Sequence, residues 1–80
     1  MGIKPKPPSW EDRARRYLKA ELKRADVTYE ELAKRLKKHG LPNESADSIK
    51  AKLKRGTFAA TFFLACLAAL ELEGVVLEEI

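Results

Sequence analysis

The stretch Val27-Thr28-Tyr29-Glu30-Glu31-Leu32-Ala33-Lys34-Arg35-Leu36-Lys37-Lys38-His39-Gly40-Leu41-Pro42 decides the fold. Thr28 followed three residues later by Glu31 has the form of a capping box, in which each side chain satisfies the other's backbone N–H. Val27 and Leu32 occupy the two positions of a hydrophobic staple around that box. Leu32, Ala33 and Leu36 continue an apolar stripe at helical spacing. Lys37, Lys38 and His39 suit the negative end of a helix dipole. Gly40 fits a left-handed position after the last turn, and Pro42 prevents continuation. The stretch therefore predicts one short amphipathic helix with both ends written into it.

Upstream, Ser9 is a capping residue, with Glu11 and Asp12 in the first turn behind it. Trp10, Ala14, Tyr17, Leu18, Leu22 and Ala25 recur at three- and four-residue spacing, which predicts a helix ending near Ala25 or Asp26. Residues 1–8 hold three prolines and two lysines and read as an extended basic arm, in which Lys4 and Lys6 are placed to follow a nucleic-acid backbone. Downstream, Asn43, Ser45 and Asp47 are three candidate caps for a third helix with a narrow stripe of Ala46, Ile49 and Leu53, stopped by Gly56. A fourth helix is expected after Thr57, running through Phe58, Phe62, Phe63, Leu64, Cys66, Leu67 and Leu70 to Gly74. It is apolar nearly all round, so it should be buried on most sides, as the centre of the fold or with one face against a second subunit. Val75-Val76-Leu77-Glu78-Glu79-Ile80 reads equally as a short strand, a further helical turn or a docking tail. The fold class is thus all-α, a four- to five-helix bundle. Its expected organisation is an arm over 1–8, a helical domain over 9–73 and a tail over 74–80 that serves as a dimerisation element.

Eighty residues allow one domain with a small core. The single cysteine, Cys66, forbids an intrachain disulfide and points to a reducing compartment, so a cytoplasmic protein is expected. The first nine residues have the wrong composition for a signal peptide. The longest apolar run, 58–70, falls short of the roughly 20 residues a membrane span needs.

Charge is unevenly spread. All sixteen Lys and Arg lie between Lys4 and Arg55, against eight acids up to Thr57, an excess of eight positive charges. The remainder carries only Glu71, Glu73, Glu78 and Glu79. Such asymmetry points to a surface for a polyanion.

Catalysis finds little to use. His39 suits a helix C-terminus, and Cys66 sits in the most apolar run, where a thiol is a small hydrophobe with a raised pKa. The four glycines are too scattered for a phosphate loop, and one Cys with one His cannot hold zinc. No enzyme, cofactor or metal site is expected.

Three short helices with turn signals, then a fourth apolar one, suggest a helix-turn-helix core. Projected at 100° per residue, helix 3 turns Ile49, Leu53 and Ala46 inward. Asp47, Ser48, Ala51, Lys54 and Arg55 then face outward, with Lys50 and Lys52 on the flanks. Lys50, Lys52, Lys54 and Arg55 suit phosphates, and Ser48 and Ala51 are residue types that touch base edges. Glu44 and Asp47 oppose this, because acids near the start of such a helix repel phosphates.

The residues resemble a family at this point. Leu32-Ala33, a glycine turn, Ile49 and Lys52-Leu53-Lys54-Arg55-Gly56 are similar to lambda-repressor/Cro-like helix-turn-helix domains, with Leu67, Ala69 and Leu70 in the place of the helix that follows recognition. Gly40 lies seven positions after Ala33, more than in that pattern, so helix 2 is longer or its turn wider. Tyr29-Glu30-Glu31 replaces the pattern's Gln, and Lys54 its Glu. The run from Lys52 to Phe58, a Lys-x-x-Arg-Gly-Thr-Phe motif, with Phe62-Phe63 and Cys66-Leu67, looks more specifically like an uncharacterised family of short bacterial proteins, over Trp10 to Leu70. The broader resemblance implies a transcriptional regulator with helix 3, over about 44–55, in the major groove of double-stranded DNA. One small domain seldom offers enough contact for specific binding, which favours a homodimer through helix 4 and the tail. The alternative is an adaptor- or antitoxin-like protein-interaction module that reads no DNA. RNA binding ranks lower, since nothing resembles a stacking platform of aromatics on strands.

Overall fold

The computed structural model describes residues 8–80, and Lys4 and Lys6 of the expected basic arm lie outside them. Four α-helices follow in order: α1 Trp10–Ala25, α2 Tyr29–Lys38, α3 Ala46–Arg55 and α4 Ala60–Ala69, with a 3₁₀ turn over Leu77–Glu79. No strand occurs among the described residues. The chain is an all-α bundle in which α3 packs against both α1 and α2, and α4 packs against α2.

The apolar stripes of the four helices meet in one core. Leu18 and Leu22 of α1, Leu32 and Leu36 of α2, Ile49 and Leu53 of α3, and Phe62 and Cys66 of α4 are all buried in it. Burial of each large aliphatic side chain contributes about 1.5–3 kcal/mol. Leu36, Ile49 and Cys66 are completely sealed from solvent, so α2, α3 and α4 meet at the centre of this core.

The helix starts follow the expected chemistry in two cases and change it in two. Ser9 Oγ accepts from Asp12 N at 3.1 Å and begins α1. Of the three candidate caps for α3, Ser45 is used. The capping box expected at Thr28 is only half formed. Thr28 Oγ1 accepts from Glu31 N at 3.1 Å, but the Glu31 carboxylate turns along the helix to Arg35 at 3.2 Å. The reciprocal box appears instead at α3, between Ser45 and Ser48. Helix α4 starts at Ala60, not directly after Thr57, and Ala59 gives it no side-chain cap. Phe58 explains the delay: its ring packs edge-on against Phe62 at 5.4 Å and stacks on Phe63 at 6.1 Å, so the chain enters the helix by way of an aromatic cluster.

Three helices end in the same way. Asp26, Gly40 and Glu71 adopt positive φ, and the next residue closes the turn: Val27 N donates to Leu22 O, Leu41 N to Leu36 O and Leu72 N to Leu67 O, at 2.8–2.9 Å. This is the Schellman arrangement, and the apolar Val27, Leu41 and Leu72 turn back onto the core. Helix α4 therefore stops at Ala69, five residues before the Gly74 expected to end it, as Glu71 takes the left-handed position and Leu72 docks against the core.

Helix α4 is also less enclosed than its composition predicts. Phe62, Cys66, Leu67 and Ala69 are buried, while Ala60, Thr61, Leu64 and Ala68 face outward. Among the described residues no helix is long and apolar enough to cross a membrane.

Candidate nucleic-acid interface

Helix α3 has two sharply different sides. Ile49 and Leu53 lock its inner side into the core. Asp47, Lys50, Ala51 and Lys54, at i, i+3, i+4 and i+7, share the outer side, and all four are exposed together with the adjoining Arg55. Among the described residues Lys50, Lys54 and Arg55 take part in no ion pair. The small Ala51 sits between the two lysines, so a partner can approach the helix backbone there.

Ser48 and Lys52 sit differently. The Ser48 hydroxyl accepts from Ser45 N at 2.8 Å and donates to Glu44 Oε1 at 2.7 Å. The Lys52 ammonium donates to Glu44 Oε2 and lies 4.9 Å from the centre of the Phe62 ring. Both side chains are thus taken up in holding the start of α3. Burial alone would raise the Glu44 pKa, but hydrogen bonds from Lys52 and Ser48 outweigh it and hold this carboxyl below its ordinary value. Glu44 is therefore neutralised from within. Asp47 is the one acid left on the outer side of α3, at the positive end of the helix dipole.

Two arginines tie helix ends together over long sequence separations. Arg15 Nη1 donates to the Lys54 carbonyl at 2.9 Å and so caps the end of α3 from α1. Arg35 Nη1 donates to the Ala69 carbonyl at 3.1 Å and caps α4 from α2. Next to the first cap, Gly56 adopts φ 74° and lies so close to α1 that a Cβ there would meet Glu11 O at 2.6 Å. The last turn of α3, where Lys54 and Arg55 lie, is fixed by this contact. Neither link is visible in local spacing, since they span 39 and 34 residues.

Cys66 is sealed in the core. Its thiol is pushed up to about 12, chiefly by burial and next by the Glu44 carboxylate, with Lys52 opposing. On the opposite side of the molecule the Tyr17 hydroxyl donates to Gly74 O at 3.3 Å and holds the start of the tail. Burial, then the Glu21 carboxylate, raise the pKa of that phenol, and Arg24 lowers it. Near it runs an apolar groove of about 510 Å³, walled by Trp10, Tyr17, Phe58, Phe63, Leu77 and Ile80. Of the large apolar side chains most open to solvent, Trp10 and Leu77 line this groove, Val76 belongs to the tail, and Leu64 lies on the outward side of α4.

These features define a small all-helical domain with a basic, outward-facing third helix. Residues 10–75 match the model of DUF6471, a domain of unknown function, and the chain belongs to that family. No curated protein matches the chain, and no solved structure does.

Proposed function

We propose that this protein binds double-stranded DNA, with α2 and α3 acting as a helix-turn-helix pair and α3 entering the major groove. The observation that carries this reading is the outer side of α3. Lys50, Lys54 and Arg55 are exposed and unpaired among the described residues around the small Ala51, on a helix whose other side is locked into the core. A rigid helix with free cations and a central small side chain suits close approach to phosphates and base edges. The Lys52 ammonium offsets the Glu44 charge and Ser48 takes up its other oxygen, which leaves Asp47 as the acid that opposes it. The contact set is accordingly Lys50, Ala51, Lys54 and Arg55, while Ser48 and Lys52 act by fixing the start of α3. A homodimer through the outward side of α4 and the tail fits the reading, because a symmetric pair of α3 helices would double the contact.

The test is fluorescence anisotropy with duplex DNA across a salt series. Affinity should fall steeply as salt rises. The triple variant Lys50→Gln, Lys54→Gln, Arg55→Gln should flatten the slope of log K against log salt by roughly two to three. Binding unchanged by that variant would remove α3 from the interface. No binding at the lowest salt would leave the second reading, a protein-interaction module, which the apolar groove beside Trp10 favours.

A further inference from the structure

A second cluster of cations lies away from α3, on the opposite flank of α1. Arg13, Arg16, Ala20 and Arg24, at i, i+3, i+7 and i+11, fall on one face of that helix. They form one wall of a cleft of about 330 Å³, and the tail residues Val76, Glu79 and Ile80 stand across from them.

The three arginines are not equally engaged. The Arg13 guanidinium lies 4.7 Å over the Trp10 ring, and its Nε–H is buried without a partner. The stacking on Trp10 holds that guanidinium at the cleft wall. Arg16 is exposed and forms no ion pair among the described residues. Arg24 gives Nη1 to the buried Glu21 carboxylate at 3.2 Å, which orients its guanidinium while most of the side chain stays open. The cleft therefore gathers three guanidinium groups from one face of α1, Arg13 held by Trp10 and Arg24 by Glu21, with apolar surface from Val76 and Ile80 in the same lining.

We infer that this cleft binds a small organic phosphate, its phosphoryl group held by Arg13, Arg16 and Arg24 and its carbon portion resting against Val76 and Ile80. Guanidinium forks match phosphate oxygens in pairs, and three of them suit a doubly charged oxyanion better than a single carboxylate. Glu21, which is paired with Arg24, and Glu79 share the lining, and Glu79 limits affinity by repelling the ligand. The inference is independent of DNA binding by α3.

The test uses phenyl phosphate as the probe, with inorganic phosphate as the comparison, followed by NMR of the arginine Nε–H groups in the full chain. Saturable shifts at Arg13, Arg16 and Arg24 are expected, with phenyl phosphate the tighter of the two. Arg16→Gln with Arg24→Gln should weaken binding about tenfold or more, since each removes charge-assisted hydrogen bonds. Glu79→Gln should tighten it, a gain that no misfolded variant would produce. Lys54→Gln with Arg55→Gln should leave it unchanged. No saturable shift with phenyl phosphate, or equal loss in the α3 variant, would overturn the inference. Displacement of phenyl phosphate by duplex DNA, with DNA binding weakened by Arg16→Gln and Arg24→Gln, would also overturn it and assign the cleft to the nucleic-acid backbone.

Discussion

A methyl group on Gly56 would land 2.6 Å from the carbonyl oxygen of Glu11, at a position that already requires positive φ. Both objections act on Gly56→Ala at once: a left-handed alanine costs about 1–2 kcal/mol, and the clash is with backbone that cannot swing aside. The variant should lose about 2 kcal/mol or more of stability, measured by urea denaturation. A loss well under 1 kcal/mol would show that α1 and α3 separate freely at this point. Glu44 makes a contrasting case, because its effect depends on pH. Its carboxyl titrates lower in the folded chain than in the unfolded one, through Lys52 and Ser48. Folding therefore favours the ionised form, and the stability it adds is present at neutral pH and lost as the pH falls through the native value. Glu44→Gln should lower stability by about 1 kcal/mol at neutral pH and narrow its difference from the parent chain in acid. Thermal melts of both proteins at several pH values check this, and a constant difference across pH would refute it.

At the scale of the helix, Glu71 occupies a position that glycine fills at the end of α2. Its φ is 59°, and Leu72 behind it closes the Schellman turn. Glu71→Gly should relieve the strain and raise stability by about 0.5–1 kcal/mol, less whatever the freer unfolded chain takes back. A lower melting temperature would mean that the Glu71 side chain contributes something the backbone geometry hides. The same element shows what was legible in the sequence. The existence and order of the four helices, and the inward set Ile49 and Leu53, follow from periodicity and capping residues. The limits of α4 do not, because an aromatic cluster at Phe58 delays its start and the docking of Leu72 ends it early. Both are tertiary contacts acting on local structure. The exposed cations of α3 were readable from a helical projection. The engagement of Ser48 and Lys52 by Glu44 was not, since the chain brings Glu44 and Lys52 together across eight residues that include the start of the helix. The caps from Arg15 and Arg35 span 39 and 34 residues, beyond the reach of any spacing rule.

For the whole molecule the question is whether it acts alone. Trp10 is 61% exposed, Leu64 62% and Leu77 63%, on a chain with a small core. Trp10 and Leu77 line one apolar groove, and exposed apolar side chains that lie together are the kind of surface a partner covers. A second copy is the occupant the DNA reading favours. The tail that borders the groove carries Glu78 and Glu79, with Glu73 just before it, whereas α1 to α3 carry the positive excess. Two copies joined near their tails would keep acidic surface away from the DNA and leave both α3 helices free. The chain should therefore sediment as a dimer of 9.0 kDa subunits at micromolar concentration. Leu64→Glu with Leu77→Glu should convert it to a monomer without unfolding it, since both side chains are already open to solvent. That monomer should keep salt-dependent contact with random DNA but lose affinity for a selected site, because non-specific attraction needs only the cations while site recognition needs two aligned helices. A parent chain that sediments as a monomer at high concentration would sink the dimer, and full site affinity in the double variant would show that one copy reads DNA by itself.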